Sequence, residues 1–166
     1  MQKPDITIYD VSTDVQDHPQ RATATIITTL TFSFRMGDET YDTLTVSGEG
    51  TRYDDSLRDA VDAIDWTIYL DATFNDDEIA ILRAAKLAYE TDPQSAWLSE
   101  GQLARQAQVN VMLNVESSPI NLLASNRLLE RVHMPYAAWQ YRITDLGREM
   151  VRSHRQFKNT NLSGAD

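Results

Sequence analysis

Apolar and polar positions alternate over the first stretches of the chain. Ile6-Thr7-Ile8-Tyr9 reads as a first strand, followed by a polar loop from Asp14 to Gln20. Ala24, Ile26, Leu30, Phe32 and Phe34 then recur on one face, with Thr25, Thr29, Thr31, Ser33 and Arg35 on the other. Period two with this much threonine predicts a half-buried antiparallel strand. Met36-Gly37-Asp38-Glu39 supplies a turn in which Gly37 can take positive φ. Tyr41 to Val46 returns as the partner strand, with Leu44 and Val46 inward, and Ser47-Gly48-Glu49-Gly50 ends it. The period then changes. Leu57, Ala60, Val61, Ile64 and Ile68 fall at helical spacing and predict a helix from about Asp55, packed on the sheet.

Helical spacing dominates the second half. Asn75 caps a helix whose first turn is Asp76-Asp77-Glu78, acidic as the helix dipole favours. Ile79, Leu82, Ala85 and Tyr89 mark its inner stripe, and Asp92-Pro93 ends it. Ser99, with Gln102 three residues on, forms a capping-box pattern ahead of a short helix from Glu100 to Ala107. Leu103, Ala104 and Ala107 face its neighbours, the small residues letting another helix cross closely. Gln108 to Glu116 is a connector. Ser117 or Ser118 then caps a further helix with Pro119 in its first turn, and Ile120, Leu123, Leu128 and Val132 form its stripe. Its outward face offers Asn121, Ser125, Asn126, Arg127 and Arg131.

His133 to Ile143 reads as a two-stranded hairpin, with Met134-Pro135-Tyr136 and Trp139 to Ile143 as strands and Ala137-Ala138 near the tip. Tyr141 and Ile143 are expected on opposite sides, Ile143 in the core. Thr144 caps a last helix from Asp145 to about Phe157, rich in Arg148, Arg152, Arg155 and Lys158. The expected organisation is an acidic α+β domain over 1–73, a second domain over 74–158 and a frayed polar tail over 159–166.

Charge sharpens this division. The net formal charge is −10, which by itself argues against a nucleic-acid binder. Yet residues 1–100 carry 7 Lys/Arg against 20 Asp/Glu, whereas residues 101–166 carry 8 against 5. Seven of those eight cations are arginine, the side chain best suited to phosphate and guanine. An apolar content of 42% supports a packed core in a chain of 166 residues. No apolar run has membrane-spanning length, and the N-terminus lacks the layout of a secretory signal, so a cytoplasmic protein is expected. The absence of cysteine excludes disulfides and thiolate metal sites.

LSEGQLARQAQV, SNRLLERV and YRITDLGREMV resemble the consecutive helix, recognition-helix and wing-to-helix segments of winged helix-turn-helix transcriptional regulators of the MarR and PadR type. The resemblance covers about residues 76–155, and YRITDLGRE is its most specific piece, with Thr144, Gly147 and Arg148 in the family pattern. The long connector and the short wing depart from that pattern. The expected fold class is α+β: an N-terminal antiparallel sheet with one packed helix, as the alternation and helical spacing predict, then, as the resemblance implies, a C-terminal winged helix-turn-helix. It implies double-stranded DNA as partner, bound by a homodimer, with the helix around Asn126 and Arg127 in the major groove. The expected DNA-binding set is Ser118, Asn121, Ser125, Asn126, Arg127, Arg131 and Arg142. Asparagine pairs bidentately with adenine, arginine with guanine, and serine with base or phosphate.

Residues 22–70 are similar to the later part of a double-stranded-RNA-binding domain, but Asp54 and Asp55 stand where that family carries basic residues, so RNA binding does not carry over. Asp54, Asp55, Asp59, Asp62 and Asp65 instead offer a carboxylate face that imitates a phosphate backbone. The alternative function is therefore a small phage-type anti-defence inhibitor, similar to anti-CRISPR proteins, whose acidic face blocks a nucleic-acid groove on a basic protein partner. No metal-ligand spacing, HExxH, nucleophile elbow, P-loop or dinucleotide-binding glycine pattern occurs, so neither catalysis nor a cofactor is expected.

Overall fold

The structure, a computed structural model, describes residues 5–17, 24–35, 42–63, 74–109, 119–135 and 138–163. It is a mixed α+β chain with two three-stranded antiparallel sheets. Two compact units emerge: one of residues 1–73 with 152–166, the other of residues 74–151. No helix among the described residues is long and apolar enough to cross a membrane. The turn expected at Met36 to Glu39, and Ile64 and Ile68, lie outside the described residues.

The first unit is built on strands β1 (Asp5–Gln16), β2 (Thr25–Arg35) and β3 (Asp42–Gly50), paired in that order. β1 continues through the segment expected to begin a polar loop at Asp14. The register explains why. Ile8 pairs with Phe32 but Asp10 pairs with Thr31, so one extra residue sits in β1 at Tyr9. Such a bulge reverses the parity of the strand. Ile6 and Ile8 before it, and Val11 and Val15 after it, thereby meet the same apolar row of β2.

Helix α1 (Tyr53–Asp62) lies on β2 and β3 at unusually short range. A Cβ at Gly48 would stand 2.1 Å from the Ala60 nitrogen, and one at Gly50 2.7 Å from the Ser56 nitrogen. Glycine is thus required where the helix backbone meets the strand. Thr28, on the apolar face of β2, is fully buried and lies 2.6 Å from the Ser56 hydroxyl. Ser56 donates to the Tyr53 carbonyl, so Thr28 is the donor of the pair. Leu30, Phe32, Leu57 and Val61 complete this core.

In the second unit, helix α2 (Asp76–Thr91) is followed by a 3-10 turn (Pro93–Ser95), strand β4 (Leu98–Ser99) and helix α3 (Glu100–Ala107). Helix α4 (Pro119–Ser125) leads into a hairpin of β5 (Leu129–His133) and β6 (Trp139–Ile143), and helix α5 (Asp145–Ser163) follows, its residues from Arg152 on belonging to the first unit. The capping boxes at Asn75/Glu78 and Ser99/Gln102 both form. β6 is central, with β4 on one side and β5 on the other. Leu82, Leu103, Ile120, Leu123 and Leu128 are buried where the helices meet.

Four sequence expectations change here. The helix after Pro119 stops at Ser125 instead of reaching Val132, and the first hairpin strand is Leu129–His133 rather than 134–136. Tyr141 and Ile143 are both buried on one face, as residues two apart on a strand must be. Helix α5 also runs past Phe157 to Ser163.

Candidate nucleic-acid interface

Helix α4 ends in a tight backbone-bonded turn. Arg127 N–H donates to the Ala124 carbonyl at 3.1 Å and Leu128 N–H to that of Leu123 at 3.0 Å. Arg127 takes φ 61°, the left-handed conformation that usually falls to glycine at a helix end. Leu123 and Leu128, joined by the second of these bonds, are both fully buried. Helix α3 stops the same way, with Gln108 at φ 58° and Val109 N–H donating to the Ala104 carbonyl.

This turn redistributes the expected site. Asn121 and Ser125 stand one helical turn apart on α4. With Ala124, and with Leu129, Glu130 and Arg131 of β5, they line an open cleft of about 400 Å³. Ser125 spends its proton on the Asn121 carbonyl at 2.8 Å, leaving its oxygen as an acceptor. Arg127 is exposed at the turn, and Arg131 is exposed on β5. Neither lies on the helix that was expected to carry them.

Two expected contacts are corrected. Asn126 is not on an outward face. It is 1% exposed, and its side-chain amide donates to the Leu122 carbonyl at 3.0 Å, so it holds the end of α4. Arg142 is not poised over open solvent. Its register partner is Glu130, whose carboxylate accepts from its guanidinium at 2.7 Å, and its guanidinium carbon lies 4.5 Å over the Trp97 ring. A cross-strand pair covered by an aromatic face fixes the sheet more than it awaits a phosphate. Ser118 lies outside the described residues.

No protein-family model, curated protein or solved structure matches the chain.

The hairpin is anchored to α5 through Thr144. The Thr144 hydroxyl accepts from Gly147 N–H at 3.0 Å, the helix cap expected from sequence, and donates to the Arg127 carbonyl at 2.6 Å. Gly147 is needed because a Cβ there would stand 2.3 Å from the Leu128 carbonyl. Arg148 pairs with Asp145 and covers the Tyr89 ring at 3.9 Å. Burial, with Glu100 adding to it, raises the Tyr141 pKa above the usual phenol value, and Arg131 opposes the shift.

The acidic residues of α1 occupy exposed positions in the first unit, but two have internal duties. Asp59 accepts from Glu49 N–H at 2.9 Å, and Asp62 accepts from Arg152 at 2.8 Å. Asp54 lies 3.9 Å from Arg52, an exposed pair of small energetic weight, and Asp55 is exposed. Asp65 lies outside the described residues.

Proposed function

We propose that residues 74–151 form a winged helix-turn-helix and that the protein is a DNA-binding transcriptional regulator. One observation carries this reading: the order helix, short strand, helix, helix, hairpin, with the short strand paired to the second hairpin strand in a β4-β6-β5 sheet. In such a unit α4 presents its open face to the major groove and the hairpin serves as the wing. Asn121, Ser125, Arg127 and Arg131 are then the contact residues, Asn121 for adenine and the arginines for guanine or phosphate. Arg142 and Asn126 support these groups without touching DNA. The protein acts as a homodimer on a two-fold symmetric site, and the acidic first unit is its dimerisation or partner-binding module.

The inhibitor reading is weaker, because Asp59 and Asp62 are already engaged within the first unit. The deciding experiment titrates the full chain against random-sequence duplex and a duplex from the gene's own upstream region, at two salt concentrations. Tight, salt-sensitive binding that prefers the upstream duplex supports the regulator. No binding at low salt removes it, and affinity capture on a basic nucleic-acid-binding protein then tests the acidic face.

A further inference from the structure

Strand β1 lies at an edge of the first sheet, with β2 on one side and no strand on the other among the described residues. Past the bulge at Tyr9 its register with β2 is unbroken from Asp10 to Gln16, so this stretch presents a regular edge. Every residue from Ser12 to Gln16 is exposed. Val15 stands opposite Ile26 on the apolar face of the sheet, yet is 59% exposed. An edge of this kind is a template for another strand, and native edges are commonly blocked by lysine, proline or a bulge. β1 contains no Lys, Arg or Pro, and its bulge precedes the exposed half.

The sequence of that half selects the occupant. Val11-Ser12-Thr13-Asp14-Val15 reads alike in both directions about Thr13: valine, a polar residue, threonine, a polar residue, valine. A two-fold axis sets residue i against j and j against i, which suits such a strand to its own copy. Antiparallel pairing centred on Thr13 places Val11 opposite Val15, Ser12 opposite Asp14 and Asp10 opposite Gln16. Each of these carboxylates then meets a hydroxyl or amide donor, and the two valine pairs carry the apolar face across the axis. The neighbouring registers fail. Centred on Ser12, pairing sets Asp10 opposite Asp14; centred on Asp14, it sets that residue opposite itself. Like charges directly opposite are destabilising, and a slip of one residue turns the apolar face over.

We propose that β1 pairs with the β1 of a second copy, antiparallel about Thr13, so that the two three-stranded sheets join as one sheet of six strands. This names the surface for the homodimer of the regulator reading and rests on that part of it. One strand pair is smaller than the roughly 800 Å² per partner of a standard interface, so dissociation falls at about tens of micromolar.

The test uses the full chain in sedimentation equilibrium from about 1 to 500 µM, a range that spans this affinity. Ser12→Lys and Thr13→Lys change the net charge equally at exposed positions, but the proposed register separates them. Ser12→Lys faces Asp14 of the second copy and is expected to tighten the dimer about fivefold, whereas Thr13→Lys faces itself and weakens it about fivefold. The chain has no cysteine, so Thr13→Cys is expected to crosslink to itself on mild oxidation, while Thr45→Cys, on β3, stays uncrosslinked. The gain with Ser12→Lys reports the register even if Thr13→Lys impairs folding. A wild-type chain that stays monomeric over the whole range overturns the pairing. So does a dimer that responds alike to both lysine substitutions, which reflects net charge alone, or one in which Thr13→Cys fails to crosslink. The duplex titration tests the regulator reading separately. A chain that dimerises as described but binds no duplex keeps the edge pairing and loses the regulator; a monomer that binds the upstream duplex keeps the regulator and overturns the pairing.

Discussion

The Thr144 hydroxyl donates to the Arg127 carbonyl at 2.6 Å, joining the start of the last helix to the turn that ends α4. The same oxygen caps α5 through Gly147 N–H. Thr144→Val keeps the shape and removes both bonds. It is expected to destabilise the chain by about 1–2 kcal/mol in urea melts and, on the regulator reading, to weaken DNA binding by loosening Arg127. A variant as stable as the wild type would show that the hydroxyl is dispensable.

Gly147→Ala sets helix propensity against space. In an exposed helix this change stabilises by about 1 kcal/mol. Here the added methyl meets the Leu128 carbonyl and the Ile143 side chain, so a loss of about 1–3 kcal/mol is expected. Thermal denaturation decides the sign.

Arg127 and Asn126 are adjacent, yet their substitutions are expected to separate folding from the proposed DNA contact. Arg127→Gly relieves a left-handed arginine, so stability holds or rises by up to about 1 kcal/mol. On the regulator reading, DNA affinity falls about tenfold, with relaxed base preference. Asn126→Ala deletes a buried amide and costs about 1–3 kcal/mol, while the preference among sequences stays as in the wild type. Parallel melts and binding titrations check the pair; equal effects of both substitutions on base preference would refute the assignment.

Alkaline pH should expose Tyr141. Its folded pKa is raised by burial and by Glu100, so the neutral phenol favours the folded state. That contribution is full below the phenol's unfolded value of 10.0 and is lost as pH rises through the higher folded value. Tyr141→Phe is therefore expected to lose less stability than the wild type above about pH 10. Urea midpoints from neutral to alkaline pH give the comparison.

The starts of α2, α3 and α5 were legible from sequence because side-chain caps announce them, whereas α1, expected from about Asp55, begins at Tyr53 without a side-chain cap. Ser99 with Gln102, Asn75 with Glu78, and Thr144 each make the predicted bond. The end of α4 was hidden because an arginine stands where a glycine would signal the stop. Leu128 and Val132 then extend the stripe of Ile120 and Leu123, although Leu128 belongs to the turn and Val132 to a strand. β5 buries only Leu129 among its inward positions, so no period-two pattern marks it. That misplaced boundary put Asn126 on the wrong side of α4. The Glu130–Arg142 pair was equally hidden, since the register that makes them neighbours follows from where β5 begins. In the first sheet the Tyr9 bulge broke the alternation that would have marked the full length of β1.

The chain passes through its first unit twice. Residues 1–73 and 152–166 belong together, and Arg152 reaches Asp62 within that unit. The stretch between them is, topologically, an insertion. A single cut after Thr73 yields no intact first unit, because its closing segment leaves with the other fragment. Residues 74–151 are contiguous, but a cut after Val151 falls inside α5, and the first unit requires its two segments to be spliced by a linker or reunited from separate peptides.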